Sequence, residues 1–292
     1  MDSLIGTGVA VVTPFDEQQQ VDLPALRRII RHLIAGKVEY LVALGTTGES
    51  VTLSPTESDL VVQTFMEEAA GKVPVVVGVG GNNTASLCEK VAHFTRKFAP
   101  AAILSVSPYY NKPTQEGLYQ HYKAVAGATH LPVILYNVPG RTSMNLQADT
   151  TLRLANDVAN IVAIKEASGN FEQCMKLIEN RPPGFLVISG DDFLTLPLVA
   201  LGFDGVISVI ANAFPGDFSE MVRLGRLDRT DDARQIHYQL LPLMHLAFEE
   251  GNPAGIKAIM EAQGLCNRRV RLPLIEASEE LKANIMKEIV PA

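Results

Sequence analysis

Most signatures of chemistry are missing from this chain, and each gap closes a class of function. No dense Lys/Arg block occurs, and the formal net charge is −7. That argues against nucleic acid as the main partner and against a polybasic membrane patch. The longest stretch without Asp, Glu, Lys or Arg is Ala124 to Gly140. It holds His130, Pro132, Asn137 and Pro139, so no membrane span is expected. No Lys or Arg precedes Arg27, so the charged region of a signal peptide is lacking and a cytoplasmic protein is expected. Cysteine is scarce: Cys88, Cys174 and Cys266 have no C-x-x-C spacing and read as reduced, buried thiols. The six histidines form neither H-x-H nor H-E-x-x-H, so no metal is expected. G-x-x-x-x-G-K-[ST] and G-x-S-x-G are absent too, which removes the common nucleotide loop and the nucleophile elbow.

What is present is a folding chain. Its 292 residues are 47% hydrophobic and 20% charged, enough to bury a full core. Apolar runs alternate with amphipathic stretches. Strands are expected at Gly8–Val12, Tyr40–Ala43, Pro74–Gly78, Ala102–Val106, Pro132–Tyr136, Ile161–Lys165, Leu186–Ser189 and Gly205–Ser208. Most are continuously apolar, as strands covered by helices on both faces are. Helices are expected at Pro24–Ala35, from Ser54 with a capping box to Glu57, from Asn83/Thr84 to Phe98, and at Gln115–Ala126, Ala148–Ala155, Phe171–Asn180 and Asp192–Leu201. Eight strands with intervening helices point to a (β/α)8 TIM barrel over residues 1–224. No G-x-G-x-x-G follows the first strand, which disfavours an open doubly wound sheet. Residues 225–292 read as a C-terminal helical appendage, with helices at Thr230–Glu249, Pro253–Gln263 and Ala277–Ile289.

A barrel carries its chemistry where strands end. The second strand ends in Gly45-Thr46-Thr47-Gly48-Glu49, a turn whose amides and hydroxyls suit a small anion, or simply a tight turn. The fourth ends in Ser107-Pro108-Tyr109-Tyr110-Asn111, the fifth in Tyr136-Asn137-Val138-Pro139-Gly140-Arg141-Thr142. Tyr serves as an acid or base or packs a loop. Arg holds a carboxylate with two parallel bonds or sits on the surface. The sixth strand carries Lys165 at the end of Ile161-Val162-Ala163-Ile164. Burying an ammonium is costly, which favours the neutral amine that attacks a carbonyl; the alternative is a lysine snorkelling from the barrel mouth. Ser189-Gly190-Asp191-Asp192 offers small residues and a helix cap, and Gly205–Ser208 an apolar wall.

Taken together, G-T-T-G-E at 45–49, S-P-Y-Y-N at 107–111, Y-N-V-P-x-R-T at 136–142 and I-K-E-A-S-G at 164–169 resemble the dihydrodipicolinate synthase family. These are pyruvate-dependent class I aldolases and lyases, and the resemblance runs from about Gly6 to the C-terminal helices. It implies condensation of pyruvate with L-aspartate 4-semialdehyde in the diaminopimelate route to lysine, without cofactor or metal. Lys165 would form the Schiff base. Tyr136, Thr46 and Tyr110 would relay protons, with Tyr110 crossing from a neighbouring subunit. Thr47 and the Thr46 backbone would hold the pyruvate carboxylate, and Arg141 that of the semialdehyde. Gly190 and Ile207 would line the pocket. A homotetramer built as a dimer of tight dimers is implied.

One departure stands out. Where many bacterial members carry two histidines and a glutamate for feedback by lysine, this chain has Pro55, Ser58 and Ser86; Ser50, Asn82 and Tyr109 are kept. Weak or no inhibition by L-lysine is therefore expected. Two other readings share part of the pattern. An N-acetylneuraminate lyase or other sugar-acid aldolase would share Lys165 and Tyr136 but have little use for Arg141. A non-catalytic pyruvate-binding homologue would have little reason to keep Lys165, Tyr136, Thr46 and Tyr110 together.

Overall fold

The computed structural model describes residues 2–289. The strands are β1 (Gly6–Ala10), β2 (Tyr40–Ala43), β3 (Val75–Gly78), β4 (Ala102–Val106), β5 (Val133–Asn137), β6 (Ile161–Glu166), β7 (Leu186–Ser189) and β8 (Gly205–Ser208). They pair in parallel in chain order, and β8 returns to β1 to close the barrel. The helices are α1 (Leu23–Ala35), α2 (Pro55–Ala69), α3 (Thr84–Phe98), α4 (Gln115–Gly127), α5 (Pro139–Thr142), α6 (Ala148–Asp157), α7 (Phe171–Asn180), α8 (Thr195–Ala200), α9 (Pro215–Arg226), α10 (Thr230–Glu249), α11 (Ala254–Ala262) and α12 (Glu279–Ile289).

Two layers of core result. Inside the barrel, Tyr40, Val42, Val76, Leu104, Ile134, Ala163, Ile188 and Ile207 fill the centre. Tyr40 fits because residue 8 is glycine: a Cβ there would lie 2.1 Å from the tyrosine ring. Outside it, alternate strand residues such as Leu41, Val77, Leu135 and Ile164 meet the apolar faces of the helices. Helix ends follow local chemistry. Ser54 and Glu57 form the expected reciprocal capping box on α2, and Asn83 caps α3.

Three elements differ from the sequence expectation. β1 is Gly6–Ala10 rather than Gly8–Val12. Val11 and Val12 are buried; the Val11 amide still donates to the Val42 carbonyl of β2 (3.1 Å), but the Val12 amide turns to the Asn212 side chain (3.2 Å), and the pairing stops there. α8 starts at Thr195, because Asp192 is drawn away to accept from the Val209 (3.0 Å) and Ile210 (2.8 Å) amides. α9, opened by Pro215, was absent from the sequence reading. It packs on α8, α10 and β1, and α10 in turn packs on α11 and α12. Among the described residues no helix is long and apolar enough to cross a membrane. Cys174 and Cys266 are buried and free, and burial pushes their thiols up to about 12 and about 11.

Candidate active site

β5 and β6 set the centre. Tyr136 and Lys165 are register partners, and side chains on parallel neighbours in register point to the same face. Both turn inward, which places Lys165 Nζ 4.3 Å from the Tyr136 ring centroid. Lys165 is only 5% exposed. The next residues along, Asn137 and Glu166, pair on the outer face. There the Glu166 carboxylate accepts from Asn137 (3.0 Å), Gln173 (2.9 Å) and the Ser168 amide (2.7 Å). Asn137 Oδ1 accepts from the Leu146 amide (2.9 Å). A satisfied buried network thus fixes the strand ends that carry the lysine and tyrosine.

Gly190, after β7, donates its amide to the Glu166 carbonyl (2.8 Å). A Cβ at this position would lie 2.9 Å from Lys165 Cε and 2.7 Å from Ala167 Cβ. The missing side chain is the space the lysine occupies.

The loop after β2 winds tightly. Leu44 and Glu49 hold φ of +57° and +51°, and the Gly48 and Glu49 amides donate back to Gly45 and Thr46 carbonyls (3.1 and 3.0 Å). Thr13 Oγ1 donates to the Gly48 carbonyl (2.7 Å). Thr46 and Thr47 both line the cavity. Thr47 is buried and its hydroxyl accepts from Asn252 Nδ2 (3.0 Å). Arg141 lies on the short α5. Its guanidinium reaches the Asn252 carbonyl (3.5 Å). One residue therefore touches the candidate holders of both substrate carboxylates.

These side chains line a cavity of about 1060 Å³ at the C-terminal mouth of the barrel. Thr46, Thr47, Tyr136, Arg141, Lys165 and Gly190 all face it. Ile207 is buried within the barrel interior, in the same packed cluster as Tyr136. Tyr110 stands apart: it is 88% exposed, with φ +73°, while its neighbour Tyr109 lines the cavity. Ser50, Pro55, Ser58 and Ser86 also line the cavity. Among the described residues no three His, Cys, Asp or Glu side chains gather as a metal site would.

Several contributors escaped the sequence reading. Asn252, Asp191, Phe193 and Phe248 line the cavity. Burial raises the pKa of the Asp191 carboxyl, and that of Asp192 to about 6. Glu49 was seen only as part of a motif. It pairs with Lys257, 208 residues away. Lys257 fell within the helix expected at Pro253–Gln263, but nothing local tied it to Glu49.

The family model described as the dihydrodipicolinate synthetase family matches residues 3–291. The chain is 53% identical over 282 residues to a 4-hydroxy-tetrahydrodipicolinate synthase of Flavobacterium psychrophilum, covering 96% of each. A dihydrodipicolinate synthase structure from Thermotoga maritima superposes with a TM-score of 0.95 at 38% identity, covering 98% of this chain and 97% of that one. A chloride-inhibited dihydrodipicolinate synthase from Acinetobacter baumannii, solved in complex with pyruvate, gives 0.94 at 38% identity, with 98% of each covered.

Proposed function

The chain belongs to the dihydrodipicolinate synthetase family, and from that premise we propose how its cavity works. The protein is a lyase that condenses pyruvate with L-aspartate 4-semialdehyde in lysine biosynthesis. The observation that carries the site assignment is Lys165, buried at the mouth of the barrel with its Nζ 4.3 Å from the Tyr136 ring, in one cavity with Arg141.

Lys165 Nζ attacks the pyruvate ketone and water leaves, giving a protonated imine. That imine is an electron sink made from a side chain. It acidifies the pyruvate methyl group, which gives up a proton to the tyrosine relay, and the resulting enamine carbon attacks the aldehyde. The amine of the semialdehyde then displaces Lys165 from the imine carbon, closing the ring and freeing the lysine. Tyr136, Thr46 and Tyr110 move the protons, with Tyr136 nearest the imine. Thr47 and the Thr46 backbone hold the pyruvate carboxylate, and Arg141 holds that of the semialdehyde. Gly190 gives the lysine room, and Ile207, which does not line the cavity, packs in the barrel core with Tyr136.

Tyr110 completes the relay of a neighbouring subunit in a homotetramer of tight dimers. Its exposure, together with that of Val51 at 84%, supports this. The reaction uses soluble metabolites, which supports a cytoplasmic location.

The test is a coupled assay with pyruvate, aspartate semialdehyde and the downstream reductase. Arg141→Ala is expected to lose at least about a hundredfold in kcat/KM while borohydride still traps pyruvate on Lys165. Wild-type protein that traps pyruvate but shows no turnover would instead favour a sugar-acid lyase.

A further inference from the structure

A lysine with no exposed surface lies outside the cavity and needs a reason. Lys257, on α11, is 0% exposed. Its Nζ donates to Glu49 Oε1 (2.5 Å) and to the Arg269 carbonyl (2.7 Å), and lies 4.3 Å from the Phe15 ring centroid. Glu49 is equally buried, and its second oxygen accepts from the Arg271 amide (2.9 Å). The Arg271 guanidinium continues the tie to the Thr52 carbonyl (2.9 Å) and to Glu57.

Stability alone does not account for this. Taking both charges out of water costs more than well-packed apolar side chains would. What the pair supplies is direction. Glu49 closes the turn that contains Thr46 and Thr47, and it does so at φ +51°. Its carboxylate has two fixed donors, one on α11 and one on the segment just after it. The segment entering α11 holds Asn252, whose side chain donates to the Thr47 hydroxyl. The turn is thus gripped at both ends by the C-terminal region: Asn252 at Thr47, and Lys257 with Arg271 at Glu49.

We propose that Glu49 and Lys257 are positioning residues for pyruvate: their buried ion pair holds the Thr46-Thr47 turn in the geometry that receives the pyruvate carboxylate. The proposal rests on the functional reading above. Neither side chain lines the cavity, so both act through the turn.

The measurement is borohydride trapping of the pyruvate imine against pyruvate concentration, run beside circular dichroism and thermal melting. Two variants are needed. Glu49→Asp keeps the charge and tolerates positive φ, but is one carbon shorter. Glu49→Gln/Lys257→Met removes both charges at similar volume. Half-saturating pyruvate is expected to rise about tenfold or more in folded Glu49→Asp, and likewise in the double variant. The KM for the semialdehyde should stay within about threefold. A purely structural pair would lower the melting temperature and leave the pyruvate dependence of the folded protein unchanged. Folded Glu49→Asp with half-saturation within about twofold of wild type would overturn the proposal. Wild-type protein that traps no pyruvate at all would remove the functional reading, and this proposal with it.

Discussion

At Gly190 a single hydrogen atom stands where any other residue has carbon. The backbone is fixed there by its bond to the Glu166 carbonyl, so an added methyl cannot retreat. Lys165 Cε lies 2.9 Å from that position, well inside ordinary contact. Gly190→Ala is therefore expected to fold and to slow imine formation about tenfold or more, because the lysine must leave its rotamer. Stopped borohydride trapping reads this directly; an unchanged trapping rate would show that the lysine has another path. At this scale the sequence was informative wherever one residue type at a strand end limits the chemistry. Lys165 and Tyr136 are of that kind, since an inward polar side chain at the end of an apolar strand has few other uses. Asn252 is not. Its value lies in touching both Thr47 and Arg141, and contacts across more than a hundred residues leave no local pattern.

Between elements, the seam of α3 and α4 holds a histidine that cannot take a proton cheaply. His121 is buried with Nδ1 2.8 Å from Thr84 Oγ1, and burial lowers its pKa to about 4. Between pH 6.5 and 4 the unfolded chain binds a proton at this residue and the folded chain does not. Stability from this group is thus full above pH 6.5 and is lost as the pH falls toward 4. His32 and His237 share the sign, both lowered by burial. Asp192 opposes them: burial raises it to about 6, so between pH 6 and 3.8 the folded chain holds the extra proton and gains stability as pH falls. His121→Gln should shrink the stability lost between pH 6.5 and 4.5 by about 2 kcal/mol. Urea titrations at the two pH values check this, and an undiminished loss would place the acid sensitivity elsewhere. Elements themselves were readable where period and caps agreed, as at the start of α2 and at both ends of α3 and α7, which match the expected residues closely. The end of β1 was misread because Val12 is buried like a strand residue while its amide bonds to the Asn212 side chain rather than to β2. Asp192 resembled a cap but bonds across to the next loop, and α9 lacked a polar cap altogether.

For the whole molecule, the question is what covers the lip of the cavity. Tyr110 and Val51 are almost fully exposed, and Tyr109 is 37% exposed beside them. An isolated chain would leave these large side chains in water, Val51 and Tyr109 on the cavity wall and Tyr110 next to Tyr109 in the chain, where a second copy of the same surface would bury them. If Tyr110 reaches across such an interface, each site takes its lysine from one subunit and its tyrosine from the other. Tyr110→Phe and Lys165→Ala are then each impaired alone, for different reasons. When they assemble together, the mixed pair contains one site with both wild-type residues and one with neither. Random pairing makes half the dimers mixed, so about a quarter of wild-type activity should return. Co-expression with two different tags isolates the mixed dimers, and there the figure should approach about half. A site that used only its own tyrosine would place one lesion in every site, and no mixture would recover activity. Mixed dimers as inactive as their parents would therefore confine Tyr110 to its own chain and leave the exposed lip without this explanation.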